Sequence, residues 1–201
     1  MPILRTARRM GNLPISSEHI NQKLTHICHF VAMTNYRRMR LPGATYFFTV
    51  CLQDRSSTVL TDHIDTLRFA YARTSHEMPV TCHAMVILPD HLHAIWTLPE
   101  GDANYSERWR RIKARFSNSV GGTIARCDSK MARRERGLWQ RRFWEHVVRD
   151  ENSFRAATAY CYNNPVKHGL VDDPAAWKFS SFYKRHRQDG QNCPSYAASG
   201  M

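Results

Sequence analysis

The chain has 201 residues, 42% of them hydrophobic, and 29 Lys and Arg stand against 17 Asp and Glu, giving a formal net charge of +12. This length suits one domain with a substantial core, and no apolar run approaches the roughly 18–20 residues that cross a bilayer. The basic residues near the N-terminus precede no apolar segment, which argues against a secretory signal and predicts a cytoplasmic protein. The strong positive charge favours a polyanionic partner such as nucleic acid.

The two ends of the chain differ from its middle. Residues 1–32 combine arginines with a Gly-Asn-Leu-Pro turn and show no periodicity that ties them to a core, so we predict a flexible N-terminal extension. Met33 follows this segment and offers an alternative translation start. Residues 187–201 are polar and rich in turn-forming residues, which predicts a disordered tail. The folded domain is therefore expected over residues 33–186.

Within this domain, apolar periodicity and turn residues predict a series of strands and helices. In chain order they are strand 45–52, helix 62–77, strands 80–88 and 91–98, helix 104–119, a strand within 138–148 and a helix from 151 to about 163. The order β-α-β-β-α-β-α is typical of an α+β fold of ferredoxin-like type. We expect one antiparallel sheet with the helices on one face and a hairpin at Pro89-Asp90.

His91 and His93 lie two residues apart in the third predicted strand. Because side chains alternate along a strand, Leu92, Ala94 and Trp96 face one way and the two imidazoles share the opposite face. Neutral imidazole is the commonest metal ligand in proteins, so the pair can converge on one divalent cation. A His-X-His pair also occurs often by chance, and two half-exposed strand histidines are the simpler interpretation of these residues alone.

The last predicted helix carries Tyr160 and Asn164 one turn apart. At about 100° per residue these positions share a face, whereas Tyr162 points to nearly the opposite side and is expected in the core or against DNA. The Asn164 amide can therefore join the histidines around an ion while Tyr160 acts as a nucleophile. Pro165 disfavours a helical conformation for the residue before it, which predicts that Asn164 lies at a frayed helix end. Taken alone, the segment is more simply a helix stop with two packing tyrosines.

Basic side chains crowd the predicted helix 104–119 and the region after it. We predict that Trp109, Ile112 and Phe116 form the buried stripe of this helix while its basic side chains contact phosphates; solvated arginines are the alternative. The predicted DNA-binding residues are Arg108, Arg110, Arg111, Lys113, Arg115, Arg141 and Arg142. The nearby aromatic residues Trp139, Phe143 and Trp144 are interpreted as core residues in preference to a base-stacking surface.

Three separated motifs agree in order and spacing with one known family. They are LPDHLHAIWTLP, LWQRRFWEHVVRDENSF and AYCYNNPVKHGLV. On these motifs, residues 35–183 resemble the REP-associated tyrosine transposases, which belong to the single-tyrosine HUH-type transposase superfamily, where two histidines flank one hydrophobic residue. The N-terminal extension departs from the pattern of that family.

The resemblance implies an HUH catalytic domain over residues 33–186 that cleaves and rejoins single-stranded DNA near palindromic hairpins. By matching motifs, it implies His91 and His93 as metal ligands, Tyr160 as the nucleophile that forms a covalent 5′-phosphotyrosine, and Asn164 as a third ligand. The implied cofactor is Mg²⁺ or Mn²⁺. The implied partner is single-stranded or hairpin DNA, with no membrane association and a nucleoid-associated location. A monomer is favoured, and a dimer stays open because the wider superfamily exchanges tyrosine helices between subunits.

Other functions stay open at this point. A non-catalytic hairpin-DNA-binding module derived from a transposase would keep the fold and lose the reaction. A replication initiator or relaxase usually places its tyrosine differently or carries further domains. A metal-dependent RNA nuclease would use histidine as a base and form no covalent intermediate.

Overall fold

The computed structural model describes residues 38–121 and 137–191 of the chain. Its strands are β1 (Thr45–Cys51), β2 (Thr81–Ile87), β3 (His91–Thr97) and β4 (Trp144–Val148). Its helices are α1 (Val59–Asp62), α2 (Ile64–Glu77), α3 (Tyr105–Val120), α4 (Glu151–Lys167) and α5 (Ser181–Gln191), with a short 3-10 helix at Pro174–Ala176.

The four strands form one sheet in the order β2-β3-β1-β4, with every neighbouring pair antiparallel. The first strand therefore lies inside the sheet, and the helices α2 and α3 follow β1 and β3 in sequence, as in a ferredoxin-like arrangement. The loop between β2 and β3 is closed by a hydrogen bond from Leu88 N to His91 O, at 2.8 Å. The predicted α+β class, antiparallel sheet and central hairpin are confirmed.

One face of the sheet packs against α2 and α3. Leu92, Ala94 and Trp96 of β3 all point into this layer and are almost completely buried, as side-chain alternation predicts. Trp96 stacks on Trp109 of α3, with ring centroids 4.2 Å apart and an interplanar angle of 12°. This layer forms the main hydrophobic core, and it fixes which face of β3 the two histidines occupy.

The opposite face of the sheet is covered by α4. The Cys161 Sγ atom lies 3.9 Å from the His93 carbonyl oxygen, and the Tyr162 hydroxyl donates a hydrogen bond to the His83 carbonyl, at 3.4 Å. Helices therefore lie on both faces of the sheet, and the prediction that they share one face holds for α2 and α3 only. The sequence did not predict that α4 lies on the second face, because polar residues of the site interrupt the apolar stripe of this helix.

The α4 helix is longer than the sequence predicts. It continues through Pro165 to Lys167, so the expected end near residue 163 and the frayed position of Asn164 are wrong. Asn164 and Pro165 are both buried against the sheet, and this packing holds the proline inside the helix despite the missing N–H group. The helix closes at Gly169, whose φ of 65° is the left-handed conformation that favours glycine.

Of the two predicted domain boundaries, only the second lies within the described residues. The boundary at residue 32, like the alternative start at Met33, lies outside the described residues. The boundary at residue 186 falls inside α5, whose helical backbone continues to Gln191. The helix thus includes the first five residues of the predicted tail, which polar composition alone does not reveal.

Candidate active site

The face that α4 covers holds both histidines of β3. The His91 and His93 side chains are fully buried, so they are not the half-exposed pair that chance would give. Their ring centroids lie 5.0 Å apart. The Nε2 atom of each ring is buried and has no hydrogen-bond partner within the part of the chain that the structure describes.

The second nitrogen of each imidazole is held by a neighbouring strand or loop. Thr49 Oγ1 of β1 lies 2.9 Å from His93 Nδ1, because Thr49 and His93 are paired in the sheet register. Asp90 Oδ1 lies 2.7 Å from His91 Nδ1. Since a carboxylate only accepts, Nδ1 of His91 carries the proton and its Nε2 keeps the lone pair. Carboxylates commonly orient metal-binding histidines in this way.

Arg55 completes this arrangement from the loop after β1. Its Nε atom lies 2.7 Å from Asp90 Oδ2, so one carboxylate oxygen contacts Arg55 and the other contacts His91. Its Nη2 atom also lies 3.5 Å from His91 Nδ1, but two donors face each other there and form no hydrogen bond. The Arg55–Asp90 ion pair therefore fixes the ring of His91 indirectly.

The α4 helix brings Tyr160 and Asn164 to the histidines. The Tyr160 ring packs edge-on against His93 and Phe47, with centroid distances of 5.3 Å and 5.8 Å. The Asn164 side chain is buried close enough to His93 to affect its pKa, and neither of its polar atoms makes a hydrogen bond of normal geometry in residues 38–121 and 137–191. Tyr162 points away, where its hydroxyl meets Ser181 Oγ at 3.2 Å. Helical phase thus separates the two tyrosines as predicted.

The buried polar atoms of this site fit a divalent cation. An unsatisfied buried polar group costs about 1–3 kcal/mol, and here three side chains (His91, His93 and Asn164) bring such atoms to one face. Two imidazole nitrogens and an amide oxygen are all neutral ligands that a cation accepts. Within the described residues no three His, Cys, Asp or Glu side chains are placed to hold an ion, so a third ligand has to be of another type, such as the Asn164 amide.

Burial and the charge of neighbouring groups lower the pKa of two imidazoles of this site, His93 and His168. The pKa of His93 is held well below its usual value, chiefly because burial disfavours the imidazolium and secondly because of His91. The pKa of His168 is lowered for the same two reasons. Burial acts to raise the pKa of Asp90, but the pKa is lowered because His91 donates to the carboxylate and Arg55 lies beside it. The lowered pKa values favour an ionised Asp90 carboxylate and neutral imidazoles at His93 and His168.

Several residues of this site were not predicted from the sequence. Asp90, Arg55 and Thr49 orient the histidines, and two residues at the end of α4 border the site. The His168 ring lies 5.1 Å from that of His91, and Lys167 Nζ lies 5.3 Å from the centroid of the Tyr160 ring. Asp90 adjoins His91 and was open to prediction, whereas Thr49 and Arg55 become neighbours only through the pairing of β1 with β3.

The predicted DNA-binding arginines of α3 lie on the other side of the sheet from this site. Arg108 is buried, and its guanidinium donates to the Asp102 carboxylate, at 2.7 Å, and to backbone carbonyls. Its surroundings are those of a structural residue and not of a phosphate contact. Arg110, Arg111 and Arg115 lie closer to solvent and form ion pairs with Glu77 and Glu107.

Lys113 and the arginines before β4 have different surroundings. The Lys113 ammonium lies over the Trp139 and Phe143 rings and donates to the Gln140 carbonyl, at 3.1 Å. Burial lowers its pKa to about 8. Arg141 and Arg142 are exposed in the segment that leads into β4. Of the predicted DNA-binding residues, these two lie closest in sequence to the strand β4.

Comparison with known proteins gives several extensive matches, including a protein of known name and a solved structure. The REP-associated tyrosine transposase of Escherichia coli (strain K12) is 41% identical over 152 residues, which are 76% of this chain and 84% of that protein. The solved structure of a REP-associated tyrosine transposase bound to a REP hairpin is 40% identical, with a TM-score of 0.69 over 78% of this chain and 87% of that one. No family model matches the chain.

This degree of identity over most of both proteins shows the family. The chain belongs to the REP-associated tyrosine transposases and is an enzyme of the class that nicks and rejoins DNA. Among the described residues, no helix is both long and apolar enough to span a membrane.

Proposed function

We propose that this enzyme cleaves and rejoins single-stranded DNA at palindromic hairpin elements through a covalent 5′-phosphotyrosine on Tyr160. The observation that carries the proposal is the contact of the Tyr160 ring with His93, in a site where the Nε2 atoms of both histidines and the Asn164 amide have no hydrogen-bond partner among the described residues. The hairpin bound to the solved relative supports the choice of substrate. A cytoplasmic, nucleoid-associated location follows from such a substrate.

The residues proposed to hold the cofactor are His91, His93 and Asn164. Mg²⁺ or Mn²⁺ bound there would polarise the scissile phosphate and neutralise the charge that develops on it. The Nδ1 atoms of the two imidazoles contact Asp90 and Thr49. These contacts fix the orientation of each ring, and therefore of its Nε2 atom, before an ion binds. Preorganisation of this kind lowers the cost of ordering ligands when the ion arrives.

Tyr160 is proposed as the nucleophile. Its phenolic proton passes to water, Oη bonds to phosphorus, and the bond from phosphorus to the 3′ oxygen breaks; the leaving 3′ oxygen takes a proton from water. A second 3′-hydroxyl then reverses these steps and rejoins a strand, because the phosphodiester energy is kept in the phosphotyrosine. A free phenol has a pKa of about 10. The Tyr160 ring packs edge-on against Phe47 and His93, and these contacts restrict the orientation of the proposed nucleophile.

We propose that phosphates next to the cleaved bond are met on the α4 face of the sheet. Lys167 is exposed and adjoins the Tyr160 ring, so its ammonium lies beside the reacting group. Arg141 and Arg142 stay candidates for the flanking strand because they are exposed before β4. Arg110, Arg111 and Arg115 are candidates for a more distant contact, since α3 lies behind the sheet and their charges are already paired.

The test uses labelled oligonucleotides that carry a hairpin and a short 5′ flank, incubated with the full-length protein and Mg²⁺ or Mn²⁺. We expect a protein–DNA adduct that survives denaturation, requires the metal and disappears in Tyr160→Phe. Tyr162→Phe is the matched control, because its hydroxyl contacts β2 and α5 instead of the site. Cleavage without an adduct would indicate a nuclease. Hairpin binding with neither cleavage nor adduct would indicate a non-catalytic module.

A further inference from the structure

The edge strand β4 carries an aromatic pair on the same face as the proposed nucleophile. Trp144 is paired with Thr49, and His146 with Phe47, so both side chains point towards the α4 side of the sheet. Their rings are nearly parallel, with an interplanar angle of 3° and a centroid distance of 5.8 Å. His146 is exposed and Trp144 is partly exposed. The pair therefore forms a partly solvent-exposed aromatic surface on the edge strand.

This surface is separate from the hydrophobic core. Of the three aromatic residues predicted to be core, Trp139 and Phe143 pack against the main core cluster, whereas Trp144 does not belong to it. The α4 helix lies mainly over β2 and β3, at the other end of the sheet. Within residues 38–121 and 137–191, α4 contacts β4 less than it contacts β2, and no strand pairs with the outer edge of β4.

A continuous aromatic path joins the pair to the nucleophile. Trp144 packs edge-on against Phe47 at 5.8 Å, and Phe47 packs edge-on against Tyr160, also at 5.8 Å. A strand whose phosphate lies at Tyr160 would thus pass the pair within a short span of nucleotides. Duplex DNA hides its base faces in the helical stack, but an unpaired strand offers them to aromatic side chains.

We infer that Trp144 and His146 form a stacking platform for an unpaired nucleobase next to the phosphate that Tyr160 attacks. The inference rests on the proposed function and deepens it, since it assigns a binding site for the single-stranded flank. Stacking reads the π face that every base has, so the platform adds affinity with little choice of sequence. Basic side chains outside the platform then contact the phosphates, and the platform contacts the base.

Binding is measured by fluorescence anisotropy in a Tyr160→Phe background, where no covalent step takes place. Two probes are compared: a hairpin with an unpaired 5′ flank and the same hairpin without a flank. We expect Trp144→Ala and His146→Ala each to weaken binding of the flanked hairpin by roughly 5- to 100-fold, which corresponds to the loss of one stacked base. Binding of the flankless hairpin should change less than twofold.

Phe69→Ala is the matched control, because Phe69 is 65% exposed on α2 behind the sheet. Its loss should leave the binding of both probes unchanged, and Trp144→Phe should restore most of the flank-dependent affinity. Equal binding of the flanked probe by wild type and both alanine variants would overturn the platform. Equal weakening of both probes by His146→Ala, an exposed residue whose loss spares the core, would also overturn it.

Photocrosslinking supplies a second measurement that needs no variant. A 5-iodouracil placed in the flank should crosslink to the β4 peptide that contains Trp144 and His146. A crosslink that maps only to α3 would contradict the platform. These outcomes are independent of the covalent adduct at Tyr160, so failure of the platform and failure of the proposed reaction are distinguished.

Discussion

Asp90 Oδ1 lies 2.7 Å from His91 Nδ1, and this contact sets the proton on Nδ1 and leaves the lone pair on Nε2. Outer contacts of this kind determine the direction and basicity of a ligand lone pair. The carboxylate is itself held by Arg55, at 2.7 Å. The orientation of a proposed metal ligand thus depends on a residue of the loop after β1.

Asp90→Asn should weaken Mn²⁺ binding by roughly 10- to 100-fold, because the amide can present its NH₂ group to Nδ1 and permits the other tautomer. Isothermal titration calorimetry of the metal alone measures this, and binding of hairpin DNA in EDTA serves as the control for folding. Asp65→Asn, at an exposed carboxylate of α2, is the matched variant and should behave as wild type. Unchanged metal affinity in Asp90→Asn would show that the carboxylate does not orient the ligand.

Asn164→Ala should lower Mn²⁺ affinity at least tenfold, since it removes the proposed third ligand from a buried site. Asn163→Ala is the control one residue earlier, because the Asn163 side chain donates to the Ala159 carbonyl and is exposed. Mn²⁺ electron paramagnetic resonance reports free and bound ion directly. Equal affinity in both variants would remove Asn164 from the ligand set.

Metal-free protein should lose stability as the pH falls below about 6.5. Because the pKa of His93 is held well below its usual value, the unfolded chain takes up this proton more readily than the folded chain does. The free energy of unfolding therefore decreases from the ordinary histidine pKa down to the lowered one, and is unaffected by this group at higher pH. His168 contributes in the same direction.

Urea denaturation at several pH values in EDTA measures this dependence. His93→Gln should flatten it, because the variant has no imidazole to protonate. A slope that persists unchanged in His93→Gln would assign the pH dependence to other groups.

Arg108→Ala should destabilise the fold by about 2–4 kcal/mol, because it leaves the carbonyls of Met78 and Pro79 without their buried donor. Arg110→Ala, at an exposed position of the same helix, should change stability by under about 0.5 kcal/mol. Urea denaturation at neutral pH measures both. If Arg108 contacts DNA instead, its variant would keep its stability and reduce the salt dependence of binding.

The sequence predicted the strands and the division of their side chains between the two faces of the sheet well, because both depend on local periodicity. Alternation along β3 separates the histidines from Leu92 and Trp96, and helical phase separates Tyr160 from Tyr162. The structure has both separations. The extension of α4 through Pro165 could not be predicted in this way, because tertiary burial overrides the local preference.

The roles of the basic residues of α3 could not be predicted from local periodicity. In the sequence, Arg108 looks like any other basic residue of its helix. Only the packing of α3 against the loop before β2 shows that it is buried and bonded to the Pro79 carbonyl. Thr49 and Arg55 likewise join the site through the β1–β3 register, which no local pattern encodes. The placement of Trp144 outside the core depends on where α4 crosses the sheet.

The central claim is that Tyr160 becomes covalently attached to DNA. The most direct test is to isolate the adduct formed with a flanked hairpin and Mn²⁺, digest protein and DNA, and locate the modification by tandem mass spectrometry. We predict a 5′-linked nucleotide on Tyr160, in the peptide that also contains Tyr162. A nucleotide on Tyr162, on another residue, or no modified peptide despite strand cleavage would contradict the account.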